Sequence, residues 1–285
     1  MNILITGSNG QLGSELRKIS GNFPDDCFFF TDAGELDITN RDAVNAFFET
    51  NDIQTVINCA AYTAVDKAES DEPAAMLLNA VAVRYLAQAC RKAGALLIHI
   101  STDYVYDGNA SVPYLEDAPT EPVSVYGITK LAGEQSALAT PKSVVIRTSW
   151  LYSSYGNNFV KTMLRLGKER DTINVVFDQI GTPTYAGDLA QTVMKIAHGD
   201  LKTGVFNYSN EGVCSWYDFA HEIMQQAELK CVVRPIETKD YPTPAPRPHY
   251  SVMNKARIKE QYGIEIPHWK ESLKRCLLKI RTENK

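Results

Sequence analysis

The chain has 285 residues, 44% of them hydrophobic and 22% charged, with a formal net charge of -5. That length suits one large α/β domain or one domain with a smaller lobe, and the composition excludes a disordered or collagen-like chain. The acidic balance argues against nucleic acid as the main partner, because phosphate neutralisation needs a concentrated basic face.

No apolar run approaches the roughly 20 residues of a membrane span. The short stretch from Ile3 to Ile5 runs into glycine-rich sequence rather than a cleavage site, so no secretory signal or membrane partner is expected and a cytoplasmic protein is. The six cysteines show no CxxC or His-pairing spacing, which argues against zinc and disulfides and makes them small core residues.

In chain order, apolar runs at 3–6, 27–31, 55–59, 96–101 and 144–148 alternate with helix-length amphipathic segments at 11–19, 41–50, 73–93 and 125–139. Such alternation predicts a parallel sheet with crossover helices. Pro73 suits a first helical turn and Gly94 the left-handed residue just past a helix end. Beyond Trp150 the pattern loosens. Helices are expected at 159–168, 186–198, 216–228 and 269–280, with short strands near Val175, Val205 and Val232 and an extended proline-rich stretch at 241–248. The expected organisation is a dinucleotide-binding unit over 1–148 and a smaller, mixed substrate-binding lobe over 149–285 that lends elements back to the first.

GSNGQLG places Gly7, Gly10 and Gly13 directly after a buried strand and at the opening of a helix. Glycines there let the backbone turn tightly and approach a pyrophosphate at the helix N-terminus. The spacing is G-x-x-G-x-x-G rather than the common G-x-G-x-x-G. The fold class predicted is therefore α/β with a Rossmann-like, doubly wound parallel sheet. Asp32 follows the second strand where an acid commonly meets the adenosine ribose, although Asp-Ala-Gly is also good turn chemistry. Asp37 is a second acid that could accept from the adenine amino group. NADPH and NADH both remain open.

Tyr126 and Lys130 are four residues apart in a predicted helix and so share one face. A phenol has an ordinary pKa near 10 and works as an acid-base catalyst once nearby positive charge stabilises its anion; Lys130 is placed to supply that charge. Thr102, at the end of the fourth strand, sits where open α/β sheets bind ligands and can hydrogen-bond a carbonyl oxygen beside Tyr126.

These residues resemble the extended short-chain dehydrogenase/reductase superfamily. Within it, GSNGQLG, LDITNRDAV, INCAAYTAVDKAE, ISTDYVYDG, YGITKLAGE, RTSWLY, DQIGTPTYAGDLA and RPHYSVMN resemble, in order, the blocks of the dTDP-4-dehydrorhamnose reductase family. The resemblance implies catalytic roles for Thr102, Tyr126 and Lys130, and cofactor contacts at Gly7, Gly10, Gln11, Leu12, Asp37, Ile38, Ala60, Ala61 and Tyr62. It implies a dTDP-sugar substrate near Asp103, Tyr104 and Trp150, with Arg247 near the nucleotide phosphates. Trp150 could equally cap the core, and Arg247 could be a surface ion-pair partner. Some family members hold Mg²⁺ through glutamates at a homodimer interface, and the resemblance puts Glu15 on one such position. Here Asp188 stands for the second Glu, and the tail RTENK offers no third ligand. Glu15 is therefore expected as a first-turn helix acid facing solvent.

Three other readings compete. A sugar-nucleotide dehydratase would use an acidic pair after the strand-four Thr, whereas Asp103 is followed here by Tyr104. An epimerase could use the same Tyr/Lys pair. A non-catalytic regulatory subunit resembling that of methionine adenosyltransferase would bind the cofactor without turnover.

Overall fold

A computed structural model describes residues 1–283. The first half of the chain runs β1 (Asn2–Thr6), α1 (Gln11–Ile19), β2 (Cys27–Thr31), α2 (Arg41–Asn51), β3 (Thr55–Asn58), α3 (Val65–Ala68), α4 (Glu72–Met76), α5 (Ala82–Ala93), β4 (Leu96–Thr102), α6 (Val125–Leu138) and β5 (Ser143–Thr148). The second half runs β6 (Leu151–Tyr152), α7 (Phe159–Glu169), β7 (Thr172–Val176), β8 (Ile180–Gly181), β9 (Thr184–Tyr185), α8 (Ala186–His198) and β10 (Gly204–Asn207). It continues through β11 (Cys214–Ser215), α9 (Trp216–Ala227), β12 (Val232–Ile236), α10 (Ala256–Tyr262) and α11 (Trp269–Glu283).

Six parallel strands form the central sheet in the order β10-β5-β4-β3-β1-β2. The strands read as unbroken apolar runs because both faces are covered, and successive side chains go to opposite cores. Ile3, Ile5, Ile57, Ile98 and Ile146 meet Leu12 and Leu16 of α1 and Leu189 and Val193 of α8. Leu4, Val56, Leu97 and Val145 meet Val44 and Phe48 of α2 and Leu86 of α5. A third core joins α7, α9 and α11 through Val160, Phe219, Ile223, Trp269 and Leu273. Among the described residues no helix is long and apolar enough to cross a membrane.

The structure differs from the expectations at several points. The helix expected at 73–93 starts at Glu72, with Pro73 in its first turn, and widens into a π turn over Leu77–Val81 before α5. That turn directs the buried Asn79 side chain at the Tyr62 backbone and at the Thr129 hydroxyl, a use of π geometry that hydropathy does not reveal. The strand near Val205 is β10, which pairs with β5 as an edge of the main sheet. Helix α10 was not expected from the sequence. It is a short segment that buries Ile258 and Tyr262 and ends on Gly263 at φ 59. Cys27 is exposed at the first position of β2, so the core reading fails there, whereas Cys59 packs half-buried against the first core and the other four cysteines are buried. The last residues of the RTENK tail, 284 and 285, lie outside the described residues.

Candidate active site

The chain departs from β1 toward β2 on one side and β3 on the other, and a crevice opens at the carboxyl ends of strands where the order reverses in this way. A cavity of about 730 Å³ occupies that position, lined along the ends of β2, β1, β3, β4 and β5. Gly7 has φ +63, and a Cβ there would lie 2.7 Å from the Ala60 backbone; a Cβ on Gly13 would meet Gly7 O and Ser8 Cα at 2.5 Å. The loop is thus closed against its neighbours in a way only glycine allows. Gly10 caps α1 without a side-chain hydrogen bond, which leaves the first helical amides to an anion. These features fit a dinucleotide pyrophosphate.

Gly7, Gly10, Gln11, Leu12, Asp32, Asp37, Ile38, Ala60 and Ala61 all line this cavity. Gln11 is clamped from the second half of the chain: its Nε2 donates to Leu151 O at 3.4 Å and its Oε1 accepts from Asn158 Nδ2 at 3.0 Å. Asp32 accepts from the Asn9 and Ala33 amides at 3.2 and 2.9 Å. Asp37 accepts from the Thr39 amide and hydroxyl. Tyr62 is placed differently, outside the lining, with its amide bonded to Asn79 Oδ1 and its hydroxyl donating to Asp71 at 3.1 Å.

Thr102, Asp103, Tyr104, Tyr126 and Lys130 meet in the same cavity. Helix α6 starts at Ser124, whose hydroxyl accepts from Gly127 N at 3.1 Å, and this cap sets the helix in register with the end of β4. Burial pushes the Tyr126 phenol well above its ordinary value, with the Thr102 hydroxyl pulling the other way. The lowering expected from Lys130 is not found: burial dominates, and Asp103 and Tyr104 push the phenol further up. Lys130 donates to Ile100 O at 2.7 Å and is brought down to about 8 by burial, against the opposing charge of Glu134. The Asp103 carboxyl rises to about 6 through burial, opposed by the Ser251 and Thr102 hydroxyls. Tyr104 meets Tyr126 edge-on at 5.4 Å.

Trp150 lines the cavity at φ 48, stacked on Trp216 with ring centroids 3.6 Å apart, and a Cβ on Gly181 would press on its ring at 2.7 Å. It therefore both closes the third core and walls the cavity. Arg247 lies outside the lining, bonded to Asp66 at 2.6 Å and to the Tyr104 hydroxyl at 3.2 Å, and so reaches the cavity through Tyr104.

The profile of the RmlD substrate binding domain matches residues 1–282. A dTDP-4-dehydrorhamnose reductase of Aggregatibacter actinomycetemcomitans is 43% identical over 95% of this chain and 97% of its own. The chain belongs to the dTDP-4-dehydrorhamnose reductase family. Two crystal structures of such reductases have its fold. That from Clostridium acetobutylicum is 45% identical with TM-score 0.96, covering 99% of this chain and 100% of that one. That from Bacillus anthracis, in complex with NADP, is 41% identical with TM-score 0.94, covering 98% and 99%.

Within this reductase family framework, the expected exposure of Glu15 is overturned. Glu15 is fully buried, accepting from Ser153 at 2.8 Å and paired with Lys279 at 3.1 Å, two side chains brought to it from far along the chain. Asp188 is likewise buried and paired with Arg275 at 2.7 Å, and it also accepts from Asn210 and Ser272. Carboxylates whose oxygens already face ammonium, guanidinium and hydroxyl donors do not fit a Mg²⁺ site. Among the described residues no group of three His, Cys, Asp or Glu gathers as metal ligands.

Sequence reasoning missed Trp216, Asn79 and Arg147. No local pattern marks the first. The second depends on the π turn, and the third is drawn in by Glu134, whose spacing of four from Lys130 was available to find it.

Proposed function

We propose that this chain reduces the C4 ketone of dTDP-4-dehydro-L-rhamnose to dTDP-L-rhamnose, using NADPH or NADH, in the nucleotide-sugar synthesis that supplies cell-surface polysaccharide. The observation that carries the reading is the meeting of Thr102, Tyr126 and Lys130 with the glycine cradle in one cavity. The reduced nicotinamide, when bound, supplies the hydride. The chain's own part is to manage the charge that develops on the carbonyl oxygen. The Thr102 and Tyr126 hydroxyls stabilise that oxygen better than they do the starting ketone. The buried phenol of Tyr126 keeps its proton until the oxygen is basic enough to take it, and the Lys130 ammonium then offsets the phenolate and holds the ribose hydroxyls. Asp103, Tyr104 and Trp150 take the sugar side, and Arg247, held at the rim by Asp66 and Tyr104, meets a phosphate.

Incubation with NADPH and the 4-keto sugar nucleotide, followed by absorbance and by NMR of the product, tests the reading. Cofactor binding without turnover, or rapid C4 epimerisation of a UDP-sugar, would replace it with the regulatory-subunit or the epimerase reading.

Both cofactors are expected to support turnover. Asp32 suits a free ribose hydroxyl, whereas Arg17 of α1, its guanidinium 4.2 Å over the Phe30 ring and bonded to Ser8, offers positive charge for a 2′-phosphate. The ratio of kcat/KM between NADPH and NADH should stay below about a thousand, on the order of 4 kcal/mol of discrimination; a larger ratio would show that one of the two groups dominates.

A further inference from the structure

Residues 126, 130 and 134 are each one turn apart along α6 and share one face. That face grips the end of β4. Lys130 Nζ donates to Ile100 O at 2.7 Å, and the hydroxyl of Ser101, the residue before Thr102, donates to Glu134 Oε1 at 2.5 Å. From β5, Arg147 closes on the same carboxylate, Nη2 to Oε2 at 2.7 Å and Nε to Oε1 at 2.9 Å, while its Nη1 donates to the Tyr106 hydroxyl at 2.9 Å. Glu134 and Arg147 are 1% and 4% exposed. Apolar residues of similar volume often stabilise a core as well as a buried ion pair does, so stability alone does not account for this one.

We propose that Glu134, braced by Arg147, is a positioning residue for the reaction: it pins the catalytic face of α6 to β4 and gives Lys130 the counter-charge that keeps it an ammonium in a buried site. The proposal rests on the reductase reading for the role of Lys130, though not for the contacts themselves.

The other groups facing Lys130 cannot supply that charge. His99 on β4 is held well below its ordinary value by burial, and so is neutral. The Cys59 thiol after β3 is pushed up to about 12 by burial, and Tyr126 on α6 is raised by burial as well, so both keep their protons. Asp103 acts on Tyr126. Glu134 itself faces Arg147 from β5, Ser101 from β4 and Tyr106 from the segment after β4.

An NMR titration of protein labelled with ε-¹³C lysine, with the Lys130 signal identified by its loss in Lys130→Met, reads this ammonium without substrate. Glu134→Gln is expected to lower the Lys130 midpoint by about one pH unit, since a nearby opposite charge favours the charged form. Glu134→Asp should leave it near the parent value. Where Glu134→Gln alone fails to fold, it is made on an Arg147→Met background, and the Lys130 midpoint of Glu134→Gln/Arg147→Met should lie below that of Arg147→Met alone. The basic limb of kcat/KM should move down in parallel, whereas a merely structural residue would reduce kcat at every pH and leave the limb in place. An unmoved Lys130 midpoint in the folded neutral variants overturns the proposal. A moved midpoint in a protein whose parent form shows no reductase turnover supports the positioning and counts against the reductase reading instead.

Discussion

Tyr126→Phe lowers kcat by about two to four orders of magnitude, the range of a lost general acid, and leaves the equilibrium affinity for the nicotinamide cofactor essentially unchanged. The ring stays, so the edge-on contact with Tyr104 and the packing against Ala68 and Ala75 persist. What disappears is the proton donor beside Thr102. Because burial holds the phenol above its ordinary value, the donor is in its protonated form throughout the neutral range, and its removal cannot be masked by a change of pH. Steady-state rates together with a fluorescence titration of cofactor binding check this. An affinity loss as large as the rate loss would mean that the hydroxyl serves binding rather than proton transfer.

Lys130→Met is expected to damage rate and affinity together. Methionine keeps the length of the stem but removes an ammonium that is 2% exposed and bonded to Ile100 O. A hydrogen bond to a charged group is worth about 1.5 to 3 kcal/mol, so cofactor affinity should fall by about ten- to a hundredfold, with a further loss in kcat because the phenolate formed at Tyr126 no longer has its counter-charge. The parent enzyme carries the matching pH signature. The ammonium is the active form, and burial brings Lys130 to about 8. Activity is therefore present below that pH and declines as pH rises through it. Full cofactor affinity in Lys130→Met, with only kcat reduced, would confine the residue to proton transfer.

Much of this was legible because the signals are local. A buried parallel strand is apolar at every position, so β1 to β5 appear as short runs, and the glycine that must pass close to Ala60 and the one that must pass close to Ser8 stand at fixed offsets from the first of them. The pairing of Tyr126 with Lys130 follows from helical geometry alone, as does the bracketing of the helix before β4 by Pro73 and Gly94.

Other properties depend on partners far away in the chain, and no local pattern encodes them. Glu15 lies near the start of α1 and reads as a surface acid until Lys279, 264 residues later, covers it. Arg247 reaches Asp66 across 181 residues, which makes it a rim residue rather than a lining one. Val205 becomes part of the main sheet only because β5 offers its edge. By itself the sequence determined the strand-glycine-helix opening, the shared face of Tyr126 and Lys130 on α6 and the class of the sheet, since each is decided within a few residues of backbone. The tertiary structure alone decided which charges are buried, what neutralises them, as Arg147 does Glu134, and where Trp150 and Trp216 meet the cavity, because burial and ion pairing are set by whichever segments pack against a residue.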